Sequence, residues 1–570
     1  MGGLLHLREG ETDGQLQKGG TGKMHRISWK KRSSRAGLSL LLLCAVGLAG
    51  CTQGESSVQE SQALAASHPS DELVLAVGTE PEGGFDPTTG WGQYGSPLFQ
   101  STLLKRDAKL HLVNDLATDH SVSEDGLTWT ITLRDGVKFS DGEPLTAEDV
   151  KFTFETAASS GSVIDLTNMA EVQAPDSSKV IFTLKSPQST FISILTTLGI
   201  VPEHAYGSDY AEHPVGSGPY KLVQWDKGQQ AIVEANEQYY GQKSAFRKLT
   251  FLYLDEDAAF AAAQAGTVDI AAIPAAFSKQ QVNGMTLESV KTVDNRGIMF
   301  PMQPAGGTSA DGFPAGNDVT SDLAIRQAVN VAIDRNALVE GVLEGHGRPA
   351  YSVSDDLPWG NPDAVFADAD VQEAKRILTA GGWTDSDGDG VVEKNGMDAE
   401  FNLLYFAGDL TRQSIALAAA DMAAQAGIKI NVEGKSREET KKQAYANAVL
   451  FGWGSHDPLE TYNLYSSTHK GEGYYNVGLY SNPVVDGWMQ QALQARSEEE
   501  ALPFWQKAEW DGTTGFSYQG DAPWAWLVNI DHLYLVRDGL NIGEQQIHPH
   551  GHGWPVTSNL EEWSWDDNSK

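Results

Sequence analysis

Both cysteines of the 570-residue chain lie near its N-terminus, Cys44 inside an apolar run and Cys51 directly after it. The long remainder of the chain therefore has no pair of cysteines with which to form a disulfide. Its stability must come from burying apolar side chains, and about 520 residues can form a sizeable core spread over two or more domains. The sequence thus favours a large, multi-domain protein held together by packing.

The apolar run, Leu38–Gly50, is about 13 residues long and so too short to cross a bilayer as a helix. A basic patch between Arg26 and Arg35 precedes it. Basic residues followed by a short apolar run and small residues are typical of a secretory signal peptide. Because Met24 stands just before the basic patch, residues 1–23 could be an over-extended start, and we leave them out of the fold prediction.

The end of the run, Leu48-Ala49-Gly50-Cys51, resembles a bacterial lipobox, a signal in which the cysteine is lipidated and becomes the mature N-terminus. The alternative is a simple signal peptide cut elsewhere. We expect residues 1–50 to be a leader and 51–70 to be a flexible, lipid-anchored tether, because the latter stretch is low in bulky apolar residues. This predicts an exported lipoprotein at the outer face of the cytoplasmic membrane or in the periplasm.

The mature chain is strongly acidic. Residues 1–50 hold eight of the basic and three of the acidic residues, which leaves 33 basic and 73 acidic residues and a formal net charge of −40. Such a surface repels the phosphates of nucleic acid, so we exclude a nucleic-acid partner.

Local patterns predict both strands and a helix. Thr128–Leu133 alternates between polar and apolar residues, and Leu73, Leu75 and Val77 stand at alternate positions, as expected of strands. Thr146, with Asp149 three residues later, predicts the start of a helix.

Several stretches together resemble family 5 extracellular solute-binding proteins, the peptide- and nickel-binding receptors of ATP-driven importers. The stretches are EDGLTWTITLRDGVKFSDGEPLTAEDV (124–150), VGSGPYKLVQWDKGQQAIVEANEQYYG (215–241), AAQAGTVDIA (262–271), AIRQAVNVAIDRNALVEGVLEGHGRPA (324–350) and EAKRILTAGGWTDSDGDGVVEKNG (373–396). They extend over nearly the whole mature chain. One departure is RGIMFPMQPAGG (296–307), where the family often has an asparagine near the passage between its lobes.

The resemblance implies a two-lobed, periplasmic-binding-protein-like α/β fold of the large peptide- and nickel-receptor type, with a deep cleft between the lobes. We place lobe one at about 71–295 plus 530–570 and lobe two at about 296–529, with the chain crossing near 294–298 and 526–529. A receptor of this kind closes on its ligand like a hinge. The expected partners are a permease and its ATPase, and we expect a monomer.

The richest candidate for ligand contact follows the apolar stretch 449–451. Strand ends in open α/β sheets are where ligands bind. In similar nickel receptors the loop after this strand presents a tryptophan and an aromatic residue or histidine to the chelate, which implies roles for Trp453 and His456, and more weakly for His469 as a metal ligand. Each histidine could equally be a solvent-exposed loop residue.

A second histidine group is IHPHGHGWP (547–555). If the segment is extended, His548, His550 and His552 project to one side and could hold a transition metal. The alternatives are local hydrogen bonding and adventitious metal binding, because the spacing is not that of a standard zinc motif. The string also resembles C-terminal stretches of receptors for nickel metallophores, which favours a nickel chelate over a peptide as the ligand.

Further candidates come from aromatic and polar loops. Trp91, Gln93 and Tyr94 could stack on or hydrogen-bond a flat ligand. Similar nickel receptors hold chelate carboxylates with an arginine pair, but this chain lacks arginine in TTLGIVPEH and TAASSGSVIDL, where the resemblance implies one. Arg412 is the best substitute, although a surface salt bridge is its commoner fate.

Two polar residues further along the chain could also contact the ligand. Tyr475 and Asn476 follow the predicted ligand loop and are expected to join Arg412.

The stretch DSDGDGVVE (385–393) is similar to a calcium-binding loop. Asp385, Asp387 and Asp389 occupy the first ligand positions, but Gly396 replaces the bidentate glutamate at the twelfth. We therefore prefer a structural turn to a weak calcium site.

Enzyme classes find little support. The chain contains no G-x-S-x-G, H-E-x-x-H or G-x-x-x-x-G-K-[ST] motif, so a secreted hydrolase is the less favoured alternative, and we expect no catalytic cofactor. A receptor that signals without import would have the same sequence pattern as one that transports.

Overall fold

The computed structural model describes residues 70–81, 83–95, 97–161, 164–471, 474–551 and 553–566. The chain divides into a unit of residues 1–62, which lies outside the described residues, and a unit of residues 63–570, to which everything below belongs. The predictions for the leader, for Cys51 and for His552 therefore fall outside the described residues. Among the described helices, none combines the length and apolar character needed to span a membrane.

Strands and helices are interspersed along the described chain, with runs of two to five consecutive strands. The strands are β1 (Glu72–Ala76), β2 (Leu104–Arg106), β3 (Leu112–Asn114), β4 (Ala117–Val122), β5 (Thr128–Leu133), β6 (Met169–Asp176), β7 (Lys179–Leu184), β8 (Tyr220–Asp226), β9 (Gln230–Ala235), β10 (Lys248–Leu252), β11 (Ile270–Ile273), β12 (Met285–Val290), β13 (Asn295–Met299), β14 (Gly307–Thr308), β15 (Pro314–Ala315), β16 (Gly347–Pro349), β17 (Glu393–Lys394), β18 (Met397–Asp398), β19 (Glu400–Phe406), β20 (Lys429–Lys435), β21 (Ala448–Trp453), β22 (Trp524–Ile530), β23 (His532–Arg537), β24 (Leu540–Asn541) and β25 (Ser564–Trp565).

The helices are α1 (Ala147–Ser160), α2 (Phe191–Thr197), α3 (Glu256–Gln264), α4 (Leu323–Ala332), α5 (Arg335–Val342), α6 (Val371–Ala380), α7 (Leu410–Ala424), α8 (Arg437–Gln443), α9 (Leu459–Tyr465), α10 (Pro483–Leu493) and α11 (Glu498–Glu509). The predicted start of α1 is confirmed, because the backbone N–H of Thr146 donates to the Asp149 carboxylate at 2.8 Å.

The first large sheet has seven strands in the order β12-β23-β11-β1-β10-β9-β8. Strand β1 runs parallel to β10 and β11, and the other neighbouring pairs are antiparallel. Leu73 and Leu75 face a core that contains Trp554, whereas Ala76 faces a second core around Phe260. Both faces of this sheet are therefore buried, and the predicted strand at 73–77 is confirmed.

The second large sheet has six strands in the order β16-β22-β13-β21-β19-β20. Strand β19 is parallel to β20 and β21, and the other pairs are antiparallel. Alternate residues of β21 face opposite cores: Leu450 packs in one, and Val449 and Phe451 pack in the other. This arrangement places the end of β21, at Trp453, in the middle of the sheet.

A third, four-stranded antiparallel sheet, β4-β5-β7-β6, packs with α1 and α2 around a separate core. The alternation predicted for 128–133 is confirmed, since Trp129, Ile131 and Leu133 of β5 are all buried.

The chain passes between the two large sheets at residues 291–294, which join β12 to β13, and at residue 531, which joins β22 to β23. A third segment lies against this passage: the carbonyl of His548 accepts from the N–H of Val293 at 2.8 Å, and the N–H of His548 donates to Lys291 at 2.9 Å. Three segments that are far apart in sequence thus meet at one place.

Strands β13 and β22 approach each other closely where a β-bulge lies between Arg296 and Gly297. A Cβ atom at Gly297 would stand 2.5 Å from the Trp526 ring, closer than real Cβ contacts come. Only glycine fits between the strands here.

We therefore expect Gly297→Ala to lower the free energy of unfolding by about 1–3 kcal/mol through overpacking, measured by urea denaturation. The control is Gly487→Ala in α10, where a Cβ would meet nothing within 4 Å. That variant should be neutral or more stable by up to about 1 kcal/mol, because alanine favours a helix. Equal unfolding midpoints for the two variants would contradict the packing.

Candidate functional site

The end of β21 and the loop after it form the centre of the candidate site. The backbone N–H of Trp453 donates to the Asn295 side chain at 3.1 Å, which fixes the strand end against the passage between the sheets. Gly454 follows with a φ of 147°. A Cβ there would lie 2.2 Å from the Val293 carbonyl oxygen, so glycine is required for the loop to reach this position.

Glu460, in the first turn of α9, fixes the position of this loop by hydrogen bonds. Its carboxyl group accepts hydrogen bonds from the backbone N–H groups of Gly454 at 3.3 Å and Ser455 at 3.1 Å. Burial raises the pKa of Glu460 to about 8, with the Asp457 and Asp294 carboxylates adding to the effect. The group is therefore largely protonated at neutral pH, and the loop does not add its negative charge to the site.

His456 lies in the same loop. Its Nε2 atom is buried and has no hydrogen-bond partner among the described residues. Burial, together with the charge of Arg106, lowers the pKa of His456 to about 4. A neutral imidazole with an unpaired nitrogen is a suitable ligand for a transition metal.

The aromatic part of the site is formed by Trp453 and Tyr475. Their rings stack with centroids 5.4 Å apart and planes 26° apart. The indole Nε1 of Trp453 is buried and also lacks a partner within the described chain. The two rings can pack against a flat part of a ligand, and the indole N–H of Trp453 can donate one hydrogen bond to it.

Two arginines converge beside the strand end. A Cβ on Gly452 would lie 2.6 Å from Arg296 Nη1 and 3.0 Å from Arg412 Nη2. Arg296 is paired with Asp294, and Arg412 is paired with Asp409 at the start of α7.

Neither Arg296 nor Arg412 uses its Nε atom for a hydrogen bond to a described residue, although both atoms are buried. Burial lowers the pKa of Arg412 to about 10, and the charge of Arg296 adds to this effect, but the group is still a cation at neutral pH. Two neighbouring guanidinium groups provide a site for a carboxylate.

Two residues from the part of the chain that forms the first large sheet, Tyr94 and His550, lie next to this loop. The ring of Tyr94 lies edge-on to His550, with centroids 6.2 Å apart, and the backbone N–H of His550 donates to the Gly454 carbonyl at 2.7 Å. Burial, with the nearby Glu460, raises the pKa of Tyr94, so its phenol stays protonated. The candidate site thus contains residues from the regions of both large sheets.

The structure therefore brings together Tyr94, Trp453 and Tyr475 of the predicted ligand residues. Arg412 lies next to Gly452, the residue before Trp453, and His456 follows in the loop after the strand. His469 packs against the same aromatic group, 6.3 Å between centroids from Tyr475.

Two predicted ligand residues have structural roles instead. Trp91 is a core residue, since its indole N–H donates to the Pro97 carbonyl at 2.7 Å and its ring packs against Phe85. Asn476 is buried, and its amide bonds the backbone of Ser466 and Tyr480 at 2.9 Å. These bonds use the polar atoms that a ligand would need, so both predictions are corrected. Gln93 lies in the turn after Trp91, half-buried.

The predicted histidine face does not form. His548 is fully buried, and its ring nitrogens face His532 and Gln545 at 3.1 and 3.2 Å. The Nδ1 atom of His550 is paired with Asp294. Both histidines act within the protein at the passage between the sheets, so the prediction of a metal site there is wrong for this pair.

The calcium-like loop forms a turn. Oxygen atoms of Asp385, Asp387 and Glu393 lie within 4.8 Å of one another, whereas Asp389 accepts from the N–H of Val391 at 2.8 Å. Asp385 likewise accepts from backbone N–H groups within the turn. The carboxylates thus bond the backbone of the turn and also lie close enough together to hold an ion, so the choice between a structural turn and a weak calcium site stays a prediction.

Sequence analysis missed Asp294, Arg296 and Glu460. The first two lie at the predicted crossing, and an arginine two residues after an aspartate there is a signal that could have been used. Glu460 stands one helical turn after His456 and could have been linked to that loop by spacing.

Residues 111–475 match the model of a family described as bacterial extracellular solute-binding proteins, family 5 Middle. The chain belongs to this family. The solute-binding protein is also similar to Protein XP55 from Streptomyces lividans, with 33% identity over 536 residues that cover 90% of this chain and 93% of XP55.

Two relatives with solved structures have different ligands. NikZ from Campylobacter jejuni, in complex with Ni(L-His), matches with a TM-score of 0.74 at 26% identity, covering 87% of this chain and 100% of NikZ. The oligopeptide-binding protein AppA from Bacillus subtilis is 27% identical over 90% of this chain and 98% of AppA. The AppA structure with a nonapeptide gives a TM-score of 0.67 over 87% of this chain and 99% of that one.

The family and these relatives establish a mixed α/β fold of the two-lobed binding-protein type. The solute-binding protein is the substrate-binding component of an ABC importer and is not an enzyme. Members of this family are exported to the periplasm or the cell surface.

The raised pKa of Glu460 predicts how stability depends on pH. The group takes up a proton more readily in the folded state, so its contribution to stability is present below its ordinary pKa and is lost as pH rises toward about 8. Glu460→Gln keeps an acceptor without the charge. We expect the variant to gain stability relative to the parent between pH 5 and pH 8, by up to about 4 kcal/mol in urea denaturation.

The matched control is Glu499→Gln at an exposed position of α11, which should give the same difference at both pH values. A Glu460→Gln difference that does not change with pH would contradict the burial of a protonated carboxyl group.

Proposed function

We propose that this solute-binding protein captures a chelate of nickel, or of another transition metal, with a small carboxylate-bearing organic molecule, and delivers it to the permease. Two observations carry the proposal: the buried Nε2 of His456 has no hydrogen-bond partner among the described residues, and two arginines converge at Gly452, four residues earlier on the same strand end. The imidazole would bind the metal, and Arg296 and Arg412 would bind the carboxylate of the chelator.

The charges around the site support this assignment. Protonation of Glu460 removes one negative charge next to the loop, and the low pKa of His456 keeps its imidazole neutral down to about pH 5. A metal chelate that carries carboxylates would meet two cations and one neutral nitrogen donor. The similarity to NikZ, whose structure contains Ni(L-His), agrees with this chemistry.

The ligand would be enclosed between two lobes, which we propose to comprise 71–295 with 530–570 and 296–529. Contacts that join these regions away from the passage support a closed arrangement. The Ser189 hydroxyl donates to the Ala492 carbonyl at 2.8 Å, and Arg106 pairs with Glu498 at 2.7 Å.

A peptide is the second candidate ligand, and it has equal support from the comparisons. AppA is named an oligopeptide-binding protein, and GsiB from Salmonella typhimurium, 28% identical over 82% of this chain, is named a glutathione-binding protein. The arginine pair would then bind the C-terminal carboxylate of the peptide, and Trp453 and Tyr475 would cover a side chain.

Titration calorimetry at pH 7 with nickel–L-histidine and with short peptides separates these candidates. We expect the wild-type protein to bind nickel–L-histidine with at least tenfold higher affinity than any peptide. His456→Ala should lose at least tenfold in that affinity, since a metal–imidazole bond is lost, whereas the exposed-site control His111→Ala should not. Tight peptide binding that His456→Ala leaves unchanged would overturn the metal-chelate proposal.

We further propose that Cys51 is lipidated and tethers the receptor beside its importer. Mass spectrometry of the mature N-terminal peptide should show Cys51 at the N-terminus with diacylglycerol attached, and Cys51→Ser should move the protein from the membrane fraction to the soluble fraction. A mature N-terminus at another residue would contradict the anchor.

A further inference from the structure

A chain of hydrogen bonds runs from the C-terminal part of the protein to Asp294 at the passage between the sheets. Its first members are Trp563, Asn559 and Gln545. The indole N–H of Trp563 can only donate, and it points at the Asn559 side chain at 2.9 Å, so Asn559 presents its Oδ1 there. Gln545 then donates its amide to Asn559 Oδ1 at 2.8 Å and to the Ile542 carbonyl at 2.7 Å.

These bonds determine which ring nitrogen of His548 carries hydrogen. Because both N–H groups of Gln545 are used, its Oε1 is the atom that faces His548 Nε2 at 3.2 Å, and that nitrogen must donate. Burial lowers the pKa of His548 well below its usual value, so the ring is neutral. The remaining nitrogen of His548, Nδ1, is therefore an acceptor.

The next ring in the chain is His532. Its Nδ1 lies 3.1 Å from His548 Nδ1 and must donate to it. Its Nε2 lies 3.4 Å from Asp294 Oδ2, and a carboxylate can only accept. Both nitrogens of His532 therefore carry hydrogen, which makes the ring a cation.

Asp294 is ionised in this setting. Although burial would raise its pKa, the charge of Arg296 and the contacts with His550 and His532 hold the pKa of Asp294 well below its usual range. One oxygen contacts His550 Nδ1 and Arg296 Nη1, and the other faces His532. A displaced Asp294 would thus displace two residues of the ligand site.

We propose that His532 is a positioning residue of ligand capture, which in its doubly protonated form holds Asp294 in the orientation that places Arg296 and His550 at the cleft. The protonation of His532 follows from the hydrogen-bond chain together with the neutral ring of His548, whereas the benefit to the ligand rests on the proposed function. His532 lies in β23 of the first large sheet, so this contact joins that sheet to the crossing strand of the second.

The other charged groups near His532 have partners of their own. Asp531, its neighbour in sequence, pairs with Arg348 at 3.1 Å and accepts from Ser289 at 3.1 Å. Arg412, whose charge acts on His550, is paired with Asp409. Asp294 is therefore the carboxylate that the His532 cation faces.

The first test uses the full mature chain labelled with 15N-histidine, without ligand, at pH 7. We expect the His532 ring, assigned by its loss in His532→Gln, to show two protonated nitrogens, and the His548 ring to show one, at Nε2. A His532 ring with a single protonated nitrogen would overturn the proposal.

The second test asks whether His532 holds the passage in place. Hydrogen exchange of the backbone N–H groups of Val293, His548 and His550 should be at least tenfold faster in His532→Gln than in the parent. His532→Lys, which keeps the charge, should restore most of the protection. The control His111→Gln removes an exposed histidine–aspartate pair and should change nothing here. Equal exchange in His532→Gln and the parent would overturn the proposal.

The third test adds nickel–L-histidine as the probe. We expect His532→Gln to bind it about tenfold more weakly than the parent, and His532→Lys to bind it within about threefold. A parent that does not bind the probe contradicts the proposed ligand, and the two ligand-free measurements then decide the role of His532. Wild-type affinity in His532→Gln would contradict positioning.

Discussion

The buried carboxylate of Asp294 is the interaction on which the ligand site depends. It lies on the first passage of the chain between the large sheets and is the shared partner of Arg296, His532 and His550. A buried charge is stable only when it is paired and hydrogen-bonded, so these groups cannot move independently of it. Arg296 from the second sheet and His532 and His550 from the region of the first are therefore all held in place by the Asp294 carboxylate.

In the candidate site, some ionisable side chains are held neutral and others keep their charge. Glu460 and His456 are both buried, and burial shifts their pKa values in opposite directions, so that each is held in its neutral form at pH 7. The two arginines keep their charge. The strand end therefore carries two cations, within a protein whose overall charge is strongly negative. On the proposed function, selectivity for an anionic co-ligand arises from this local charge and against the charge of the whole chain.

Features that depend on short stretches of sequence could be predicted. The alternation in β1 and β5, the start of α1 and the position of Trp453 and His456 at a strand end follow from residue patterns a few positions long. The family resemblance supplied the fold, because its motifs extend over nearly the whole mature chain.

Features that depend on which group the fold brings against a side chain could not be predicted. Trp91 and Asn476 have the side chains of ligand-binding residues, but Pro97, Ser466 and Tyr480 use their polar atoms. His548 and His550 alternate with other residues as a metal-binding strand would, yet their partners come from β23 and from the crossing at Asp294. Whether the partner is 4 residues away, as Tyr480 is from Asn476, or 256 away, as Asp294 is from His550, the pairing is decided by the fold and leaves no mark in local spacing.

The central claim is that the cleft holds a metal through His456 and a carboxylate through two arginines. Native mass spectrometry with elemental analysis, on the tether-free protein purified gently from its own host, tests it most directly. The account predicts one nickel ion, or another transition-metal ion, per chain together with a small carboxylate-bearing molecule. A ladder of short peptides without stoichiometric metal would contradict it and would assign the same cleft to peptides.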